Sequence, residues 1–416
     1  MRPDIALDAA RPPLLGLRRF LREAEWANPA RLGVYLKLLA LANLAGLLVL
    51  AFYIWSGGVD PRGEPVGSDF VSFWSAGKMA LAHRAAEVYV PQSHLAAERA
   101  YFGAPLGWYA FFYPPIFLLA CLPLGLAPYF VALALWLAST FAAFAAALRA
   151  LAPRFAQPLT LAAAPVVFSV IGHGQNAFLS AALFAAGTRL MERQPALAGA
   201  MFGLLGFKPQ LALLAPLALL VTGRWRALAA FAATVAALAG LSAWVFGLDA
   251  WTAFLAETPM AQATLERGLV DPAKMQSVFA AVRTLGGGVA LAYAAQAAAA
   301  VAALGALIVG LRRERDARRQ FALVAVITCL TTPFLLDYDL ALLIVPVAVL
   351  AEEGLATGFR AYEKTALGAA FVLPAVARPL AETLHLPLSP LVIAALGLVL
   401  LRRAMAPICP RAAIAA

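Results

Sequence analysis

The sequence predicts an all-α polytopic membrane protein, because its composition is far more apolar than that of a soluble domain. Of its 416 residues, 63% are hydrophobic and 13% are charged, and the mean hydropathy is +0.82. An ordinary soluble domain is about one-quarter charged and under half apolar. This composition excludes a soluble globular enzyme, a disordered chain and a nucleic-acid-binding protein.

Long apolar runs predict the individual transmembrane helices. A helix needs roughly 20 apolar residues to cross the hydrocarbon core of a bilayer. The clearest predicted spans are residues 34–55, 128–149, 227–248, 288–311, 319–336, 338–352, 364–380 and 387–402. Shorter runs, at 109–126, 158–171, 175–190, 195–207 and 209–222, are interrupted by Pro, Gly, His, Gln or Lys. We expect about 11–13 spans, with the interrupted region 109–223 lining a site, because broken helices at membrane depth need protein or a water-filled cavity around their ends.

The distribution of Lys and Arg predicts the orientation. The net charge is +10, but the basic residues cluster beside apolar runs, as they do in cytoplasmic loops. We expect residues 1–33, the loop 312–319 and the end of the last span to be cytoplasmic. Segments 56–107 and 249–287 carry balanced or slightly acidic charge and are predicted to be outer loops. This arrangement requires one short run to re-enter rather than cross, and the proline-interrupted run 109–126 is the candidate.

The predicted organisation is one transmembrane domain with short flanks. Residues 1–33 are interpreted as a cytoplasmic N-terminal segment, 34–404 as the transmembrane domain and 405–416 as a C-terminal tail. The run after residue 33 is too long for the core of a signal peptide. Cys121, Cys329 and Cys409 are odd in number and form no C-x-x-C motif, so we expect neither a disulfide framework nor a zinc site. No metal and no cofactor are expected.

The first outer loop contains the acid that attracts most interest. Asp69 precedes an aromatic stretch, FVSFW at 70–74, whose apolar residues fall at helical spacing. This spacing predicts an amphipathic helix that suits the outer membrane interface. Asp69 could simply be the N-cap of this helix, because Asp is favoured at that position. It could also be a carboxylate that removes a proton from an acceptor hydroxyl, and the two roles are compatible.

Polar residues interrupt the apolar runs that follow. Tyr113 closes an aromatic stretch before two prolines, which an interfacial aromatic belt would also explain. His173, Gln175 and Asn176 stand in an otherwise apolar region, where polar groups are costly unless paired or wet. Gln175 and Asn176 could donate hydrogen bonds to sugar hydroxyls or a phosphate. A polar turn at the membrane surface is the alternative.

Lys208 lies between apolar helices, where a lysine costs roughly 2.5–3.5 kcal/mol on insertion scales. It could snorkel to an interface, or it could neutralise an anion such as a lipid-linked phosphate. Asp339 lies in an outer turn after Pro333 and is either a turn residue or a functional acid. Lys274 and Arg283, in the second outer loop, are further candidate ligands for a phosphate or a sugar.

The order of these motifs resembles glycosyltransferase family 87. The resemblance rests on the outer-loop Asp69 with its aromatic residues, YPP at 113–115, GQ at 174–175, FKP at 207–209 and the turn from Pro333 to Asp339. It covers roughly residues 35–350. The family includes polyprenyl-phosphate-mannose-dependent enzymes with a GT-C-type helix bundle. The resemblance implies that Asp69 is the catalytic acid-base residue and that Lys208 belongs to the Lys-Pro motif. The late turn has no histidine, unlike that of related mannosyltransferases.

The resemblance implies a multi-pass glycosyltransferase of the bacterial cytoplasmic (inner) membrane, with its active site at the outer face. It would move a hexose such as mannose from a polyprenyl-phosphate donor to a hydroxyl of a lipid or glycan acceptor, with inversion. Two alternatives stay open at this stage. One is a transporter or flippase for lipid-linked sugars, and the other is a noncatalytic subunit that binds them.

Overall fold

The computed structural model describes residues 13–103 and 106–405. Its fold is 78% helical, and no strand occurs in these residues. The α-helices are, in order, α1 (Pro13–Glu23), α2 (Pro29–Trp55), α3 (Phe70–Leu81), α4 (Pro91–Phe102), α5 (Pro115–Gly125), α6 (Tyr129–Leu151), α7 (Pro158–Ala163), α8 (Pro165–His173), α9 (Ala177–Leu190), α10 (Pro195–Leu204), α11 (Pro209–Ala212), α12 (Leu214–Val221), α13 (Trp225–Phe246), α14 (Leu248–Glu266), α15 (Val278–Thr284), α16 (Val289–Arg313), α17 (Ala317–Thr331), α18 (Ile344–Thr357), α19 (Glu363–Leu384) and α20 (Ser389–Met405). Short 3₁₀ helices occupy Ala85–Tyr89, Leu205–Phe207, Pro272–Lys274 and Asp337–Leu343.

The fold is the predicted all-α polytopic membrane protein. Among the described residues, six helical segments are long and apolar enough to cross a membrane: α2, α6, α13, α16, α18 with the 3₁₀ turn before it, and α19. α17 and α20 also match predicted spans but have only 15 and 17 residues. α2 begins at Pro29, so the first apolar helix starts inside the segment that the sequence assigned to the flank.

Contacts between helix ends divide the connecting segments into two groups. At one end, Arg224 binds Glu192 at 2.8 Å and Arg319 binds Glu353 at 2.8 Å. We call this the arginine-rich end. At the other end, the Gly67 N–H donates to the Gly172 carbonyl at 3.2 Å, and the Gln276 N–H donates to the Leu335 carbonyl at 2.7 Å. We call this the cavity end.

Within residues 13–103 and 106–405, the chain passes between these two ends along twelve segments. They are α2, α6, α7–α8, α9, α10, α11–α12, α13, α16, α17, α18 with its preceding turn, α19 and α20. α5 is different, because both of its ends lie at the cavity end. Phe117, near its start, stacks on Phe207 at 5.1 Å, and the Ala127 carbonyl, just after it, accepts from Trp74 at 2.9 Å. The run 109–126 therefore returns to the end from which it came, as its prolines predicted.

Helix breaks inside the bundle have polar partners. Pro165 separates α7 from α8, and a break of this kind leaves carbonyl groups without helical partners. The buried Asn43 of α2 donates to the carbonyls of Ala162 at 2.8 Å and Ala164 at 3.1 Å. The amide thus satisfies the backbone in a region where water is scarce. The broken helix can then reach the cavity end at His173.

The helix predicted after Asp69 is present as α3, but its surroundings differ from the expectation. Ten of its twelve residues are buried, and only Lys78 and Leu81 are exposed. The helix therefore shows no exposed polar face of the kind expected for an interfacial helix. A Cβ added at Gly77 would lie 2.2 Å from the Cys121 carbonyl oxygen of α5, and one at Gly125 would lie 2.6 Å from the Gly77 backbone. These glycines let α3 and α5 pack backbone to backbone, which buries α3 inside the fold.

Candidate active site

A cavity of about 380 Å³ lies at the cavity end and collects most of the predicted site residues. Six of them line it: Asp69, Tyr113, Gln175, Lys208, Lys274 and Asp339. Asn176 lies directly behind this lining, in contact with Lys208. The remaining lining is mostly aromatic or aliphatic. The cavity therefore has a few converging polar groups in an apolar wall, which is typical of a ligand site.

The backbone around Asp69 is fixed by the end of α8. The Asp69 N–H donates to the His173 carbonyl at 3.0 Å, next to the bond that joins Gly67 to Gly172. The buried Tyr129 hydroxyl donates to the Gly67 carbonyl at 2.8 Å. These bonds tie the loop before α3 to two other helices. The position of the Asp69 carboxylate is thus set by tertiary contacts, because its own loop has no regular structure.

The Asp69 side chain does not cap α3, so the capping alternative is wrong. Its backbone is already helical, with φ −76° and ψ −20°, and its carboxylate accepts no hydrogen bond from the first turn. Instead the carboxylate accepts from Gln175 Nε2 at 2.9 Å and lies 3.7 Å from Lys274 Nζ. The carboxylate faces the cavity, with 15% of the side chain exposed.

The surroundings of Asp69 favour its ionised form. Burial is the largest single effect and opposes ionisation, but the charges of Lys274 and His173 and the Gln175 hydrogen bond outweigh it. The pKa of Asp69 is therefore lowered below its ordinary value. Asp69 is therefore ionised at neutral pH, which is the form that a proton acceptor requires.

The polar turn after α8 aligns the Asp69 partner. Gly174 has a φ of +67°, and a Cβ there would lie 2.6 Å from the Phe70 Cβ, so glycine alone fits this turn without strain. The Gln175 Oε1 accepts from the Asn176 N–H at 3.0 Å and from the Tyr113 hydroxyl at 3.3 Å. These bonds orient the amide so that its Nε2 points at Asp69. The interruption in the apolar sequence is thus a buried turn that holds site residues.

Lys208 forms a buried ion pair that the sequence did not predict. Its Nζ lies 2.5 Å from Asp339 Oδ1 and 3.2 Å from Asn176 Oδ1, and the Lys208 and Asp339 side chains are 3% and 2% exposed. A buried ammonium needs such a partner. Asp339 therefore supplies a counter-charge for Lys208 inside the fold, so the buried lysine does not need to snorkel to the interface. That Lys208 also neutralises a bound anion stays a prediction.

Lys274 is the more accessible of the two lysines in the cavity. Its side chain is 22% exposed and belongs to the 3₁₀ turn Pro272–Lys274. The Gln276 amide donates to the carbonyls of Ala273 and Lys274, at 3.1 and 3.3 Å, and so braces this turn. A ring that the sequence reasoning did not assign lies between the two lysines: the Tyr338 centroid is 5.3 Å from Lys208 Nζ and 5.9 Å from Lys274 Nζ.

Besides Asn176, two predicted ligands do not line the cavity. Arg283 lies at the end of α15, where its guanidinium donates to the Gly287 carbonyl at 3.0 Å. His173 lies at the end of α8, with its Nδ1 2.9 Å from the Ser169 carbonyl and its ring 5.5 Å from the Tyr338 ring. Its imidazole is close enough to contribute to the lowered pKa of Asp69. The structure thus brings His173 near the site and leaves Arg283 outside it.

Comparison with known families now decides what kind of protein carries this cavity. The family model of glycosyltransferase family 87 matches residues 111–333, which is more than half of the chain. The chain belongs to this family. It is therefore a glycosyltransferase-family protein with a multi-pass helical membrane fold. The search of curated proteins and the search of solved structures found no match.

The family 87 match covers only part of the cavity lining. Gln175, Lys208 and Lys274 lie inside the matched segment, whereas Asp69 and Asp339 lie outside it. The two acids are nevertheless bonded to matched residues, Asp69 to Gln175 and Asp339 to Lys208. The fold thus brings residues from before and after the matched segment 111–333 to the same cavity.

Sequence reasoning missed the aromatic wall of the family 87 cavity. Trp108, Tyr109 and Phe112 belong to the non-helical residues 106–114 before α5 and line one side. The Tyr109 N–H donates to Glu98 at 3.2 Å, and its hydroxyl donates to Glu64. The dense aromatic composition of residues 108–113 was a visible signal, but an interfacial belt explained it equally well. The other lining residues that were not predicted are Ser72, Phe73, Ala110, Phe207, Gln210, Thr264, Leu269, Val270, Asp271, Phe334, Leu336 and Tyr338.

The chemistry available in this cavity is that of carboxylates and ammonium groups. Three carboxylates (Asp69, Asp271 and Asp339), two lysines and the amide of Gln175 line the cavity, and most of the other lining residues are apolar. Within residues 13–103 and 106–405, no three His, Cys, Asp or Glu side chains lie close enough together to hold a metal ion. Such a site can accept a proton and neutralise an anion with its own side chains.

Proposed function

We propose that this protein transfers a sugar from a polyprenyl-phosphate donor to an acceptor hydroxyl, with inversion and with Asp69 as the general base. One observation carries the proposal. The Asp69 carboxylate faces the cavity, is oriented by Gln175 and lies 3.7 Å from the accessible cation Lys274. A proton acceptor and an anion-binding group thus stand side by side, as this reaction requires.

The proposed reaction is a single displacement. The acceptor oxygen attacks the anomeric carbon and forms the new glycosidic bond, while the bond from that carbon to the phosphate oxygen breaks. The hydroxyl proton passes to Asp69, and the polyprenyl phosphate leaves with the electron pair. A phosphate leaves without a general acid. A positioned base contributes typically 10²–10⁴-fold to such a step.

The donor phosphate is assigned chiefly to Lys274. Lys208 already binds Asp339, whereas Lys274 is more exposed and has only the 3.7 Å contact with Asp69. The proposed role of Lys208 is indirect: its pair with Asp339 keeps the turn that carries Tyr338 in place, and its charge adds to the positive potential of the cavity. Asn176 supports Lys208, and Tyr113 supports Gln175.

The proposed sugar is a hexose such as mannose, from the resemblance of the motifs to polyprenyl-phosphate-mannose-dependent enzymes. The aromatic wall of Trp108, Tyr109 and Phe112 offers flat apolar faces for a sugar ring. The acceptor is a lipid or a glycan. The lipid tail of the donor would lie along the surrounding bilayer.

The cavity is proposed to face the outer side of the bacterial cytoplasmic membrane. The arginine-rich end carries the basic loops, which face the cytoplasm in most membrane proteins. Cysteine labelling tests this assignment in a chain with Cys409 replaced by Ser, because Cys121 and Cys329 are buried. An impermeant reagent added outside should label Ala96→Cys, at the cavity end, and spare Arg315→Cys, at the other end. The opposite pattern would overturn the outward-facing site.

Reconstitution with a panel of polyprenyl-phosphate sugars tests the function itself. The full chain in liposomes should transfer one sugar from its polyprenyl phosphate to an added acceptor extract, and nucleotide sugars should not replace the lipid donor. Transfer supported by a nucleotide sugar alone would refute the donor class. Movement of the lipid-linked sugar across the bilayer, or its binding without transfer, would instead support the transporter or the binding subunit.

A further inference from the structure

The arginine-rich end carries a second polar cavity, at the opposite end of the bundle from Asp69. Its volume is about 600 Å³, and it lies between α1 and the segment that leads into α19. Its charged lining residues are Arg22, Glu23, Arg360 and Lys364. This cavity shares no residue with the site described above.

The cations of this second cavity outnumber its acids by three to one. Among the described residues, Arg22, Arg360 and Lys364 form no ion pair within 4 Å. The Lys364 ammonium donates only a 3.4 Å bond to the Ala27 carbonyl and lies 5.6 Å from the Phe359 ring. Three uncompensated cations around one cavity attract an anion.

The nearby acids already have other partners. Glu23, which lines the cavity, binds Arg19 at 3.0 Å. Glu363 binds Arg403 through both carboxylate oxygens, at 2.7 and 2.6 Å, and also accepts from the Arg360 N–H at 2.8 Å. Neither carboxylate is therefore free to neutralise the cavity.

An exposed apolar surface adjoins the cations. Leu17 and Phe20 of α1 are each 53% exposed, although α1 is firmly held at its end. The Tyr362 N–H donates to the Arg22 carbonyl at 3.0 Å, and the Thr365 hydroxyl donates to the Leu21 carbonyl at 2.7 Å. α1 is thus a docked amphipathic helix with basic residues beside an apolar face, and such helices lie at bilayer surfaces.

We propose that this second cavity binds the phosphate headgroup of an anionic phospholipid, whose acyl chains lie against Leu17 and Phe20. A free inorganic anion would use the cations but would leave the apolar side chains in water. A neutral phospholipid would cover those side chains but would gain little from three cations. An anionic lipid satisfies both surfaces at once.

The proposal is tested by thermal unfolding of the delipidated full-length protein in detergent. Phosphatidylglycerol should raise the unfolding midpoint in a saturable way, whereas phosphatidylcholine and inorganic phosphate should not. The variant Arg22→Gln/Arg360→Gln/Lys364→Gln should need about 100-fold more phosphatidylglycerol for the same shift. The matched control Arg312→Gln/Arg313→Gln/Arg315→Gln removes three exposed cations at the same end and should behave as the parent chain.

Three results would overturn the lipid site. Equal phosphatidylglycerol titrations for the two triple variants would show that the cavity cations do not matter. Stabilisation by inorganic phosphate at similar concentrations would show a free-anion site. Equal stabilisation by phosphatidylcholine would show a purely apolar surface. The lipid comparison on the parent chain alone keeps the test decisive if the cavity variant does not fold.

Discussion

The two ends of the bundle use pairs of oppositely charged side chains for different purposes. At the arginine-rich end, Arg403 binds Glu363 through two nitrogens at 2.7 and 2.6 Å and binds Glu353 at 2.6 Å. At the cavity end, Asp69 lies 3.7 Å from Lys274 and shares no direct hydrogen bond with it. The Arg403 pairs are short and saturated and hold the fold, while the longer, partly exposed pair of Asp69 with Lys274 is open to a ligand.

Lys208 shows that the pairing of a charged group, rather than its position in the bundle, separates structural charges from ligand-binding charges. It faces the same cavity as Lys274, yet its 2.5 Å bond to Asp339 makes it resemble the structural pairs of the far end. A cation that already forms a short, buried ion pair contributes mainly to the fold. A cation that is partly exposed and has no short ion pair can bind substrate. The predictions below test this division, beginning with the largest expected effect.

Asp69→Asn should lower the turnover number at least about 10²-fold and up to about 10⁴-fold, because the amide cannot accept the hydroxyl proton. Its oxygen can still accept from Gln175, so folding and donor binding should stay close to normal. Steady-state transfer kinetics give the measurement, and Glu87→Gln is the control. Glu87 is an exposed acid of the same loop, paired with Arg84. Near-normal turnover of Asp69→Asn would place the base elsewhere.

Lys208→Met should destabilise the protein by about 3–5 kcal/mol, because it leaves the Asp339 carboxylate buried without a partner. The double variant Lys208→Met/Asp339→Leu removes both charges and should recover most of that loss. Unfolding in detergent compares the three chains. A folded double variant whose donor KM rises as far as expected for a lost phosphate ligand would show that Lys208 binds substrate. The assignment of Lys208 to the fold alone would then be wrong.

Lys274→Gln should raise the donor KM about 10- to 100-fold, because a charge-assisted hydrogen bond to the phosphate is worth about 1.5–3 kcal/mol. It should also change the pH profile. Lys274 lowers the pKa of Asp69, so its removal raises that pKa, and the base form is then lost at higher pH. The acid limb of kcat/KM should therefore move to higher pH. An unmoved acid limb would mean that Lys274 does not act on the base.

Arg403→Lys should cost about 1.5 kcal/mol of stability, since a lysine cannot reproduce the two-pronged contact with Glu363. The donor KM and the turnover number should not change, because Arg403 lies at the opposite end from the cavity. Unfolding and transfer assays on the same preparation provide the comparison. A loss of turnover in a fully folded variant would show that the two ends are coupled.

Much of the fold followed from local patterns. Apolar runs predicted the helices that became α2, α6, α13, α16 and α17–α20, because a bilayer requires long apolar segments whatever their neighbours. The prolines of run 109–126 predicted that α5 would not pass through the bundle. The surroundings of α3 were predicted less well, because its burial depends on close packing against α5. In the sequence, the only sign of this packing is the presence of two glycines, Gly77 and Gly125.

The sequence by itself determined the class of all-α membrane protein, the helices, the charge asymmetry and the residue types available for chemistry. Only the tertiary structure decided their partnerships. Asp69 and Gln175 are 106 residues apart in the chain, and Lys208 and Asp339 are 131 apart. A pattern read along the chain shows that a buried lysine must have a partner, but the partner is chosen by which helix ends meet. That choice made Lys208 part of the fold and left Lys274 beside Asp69, facing the cavity.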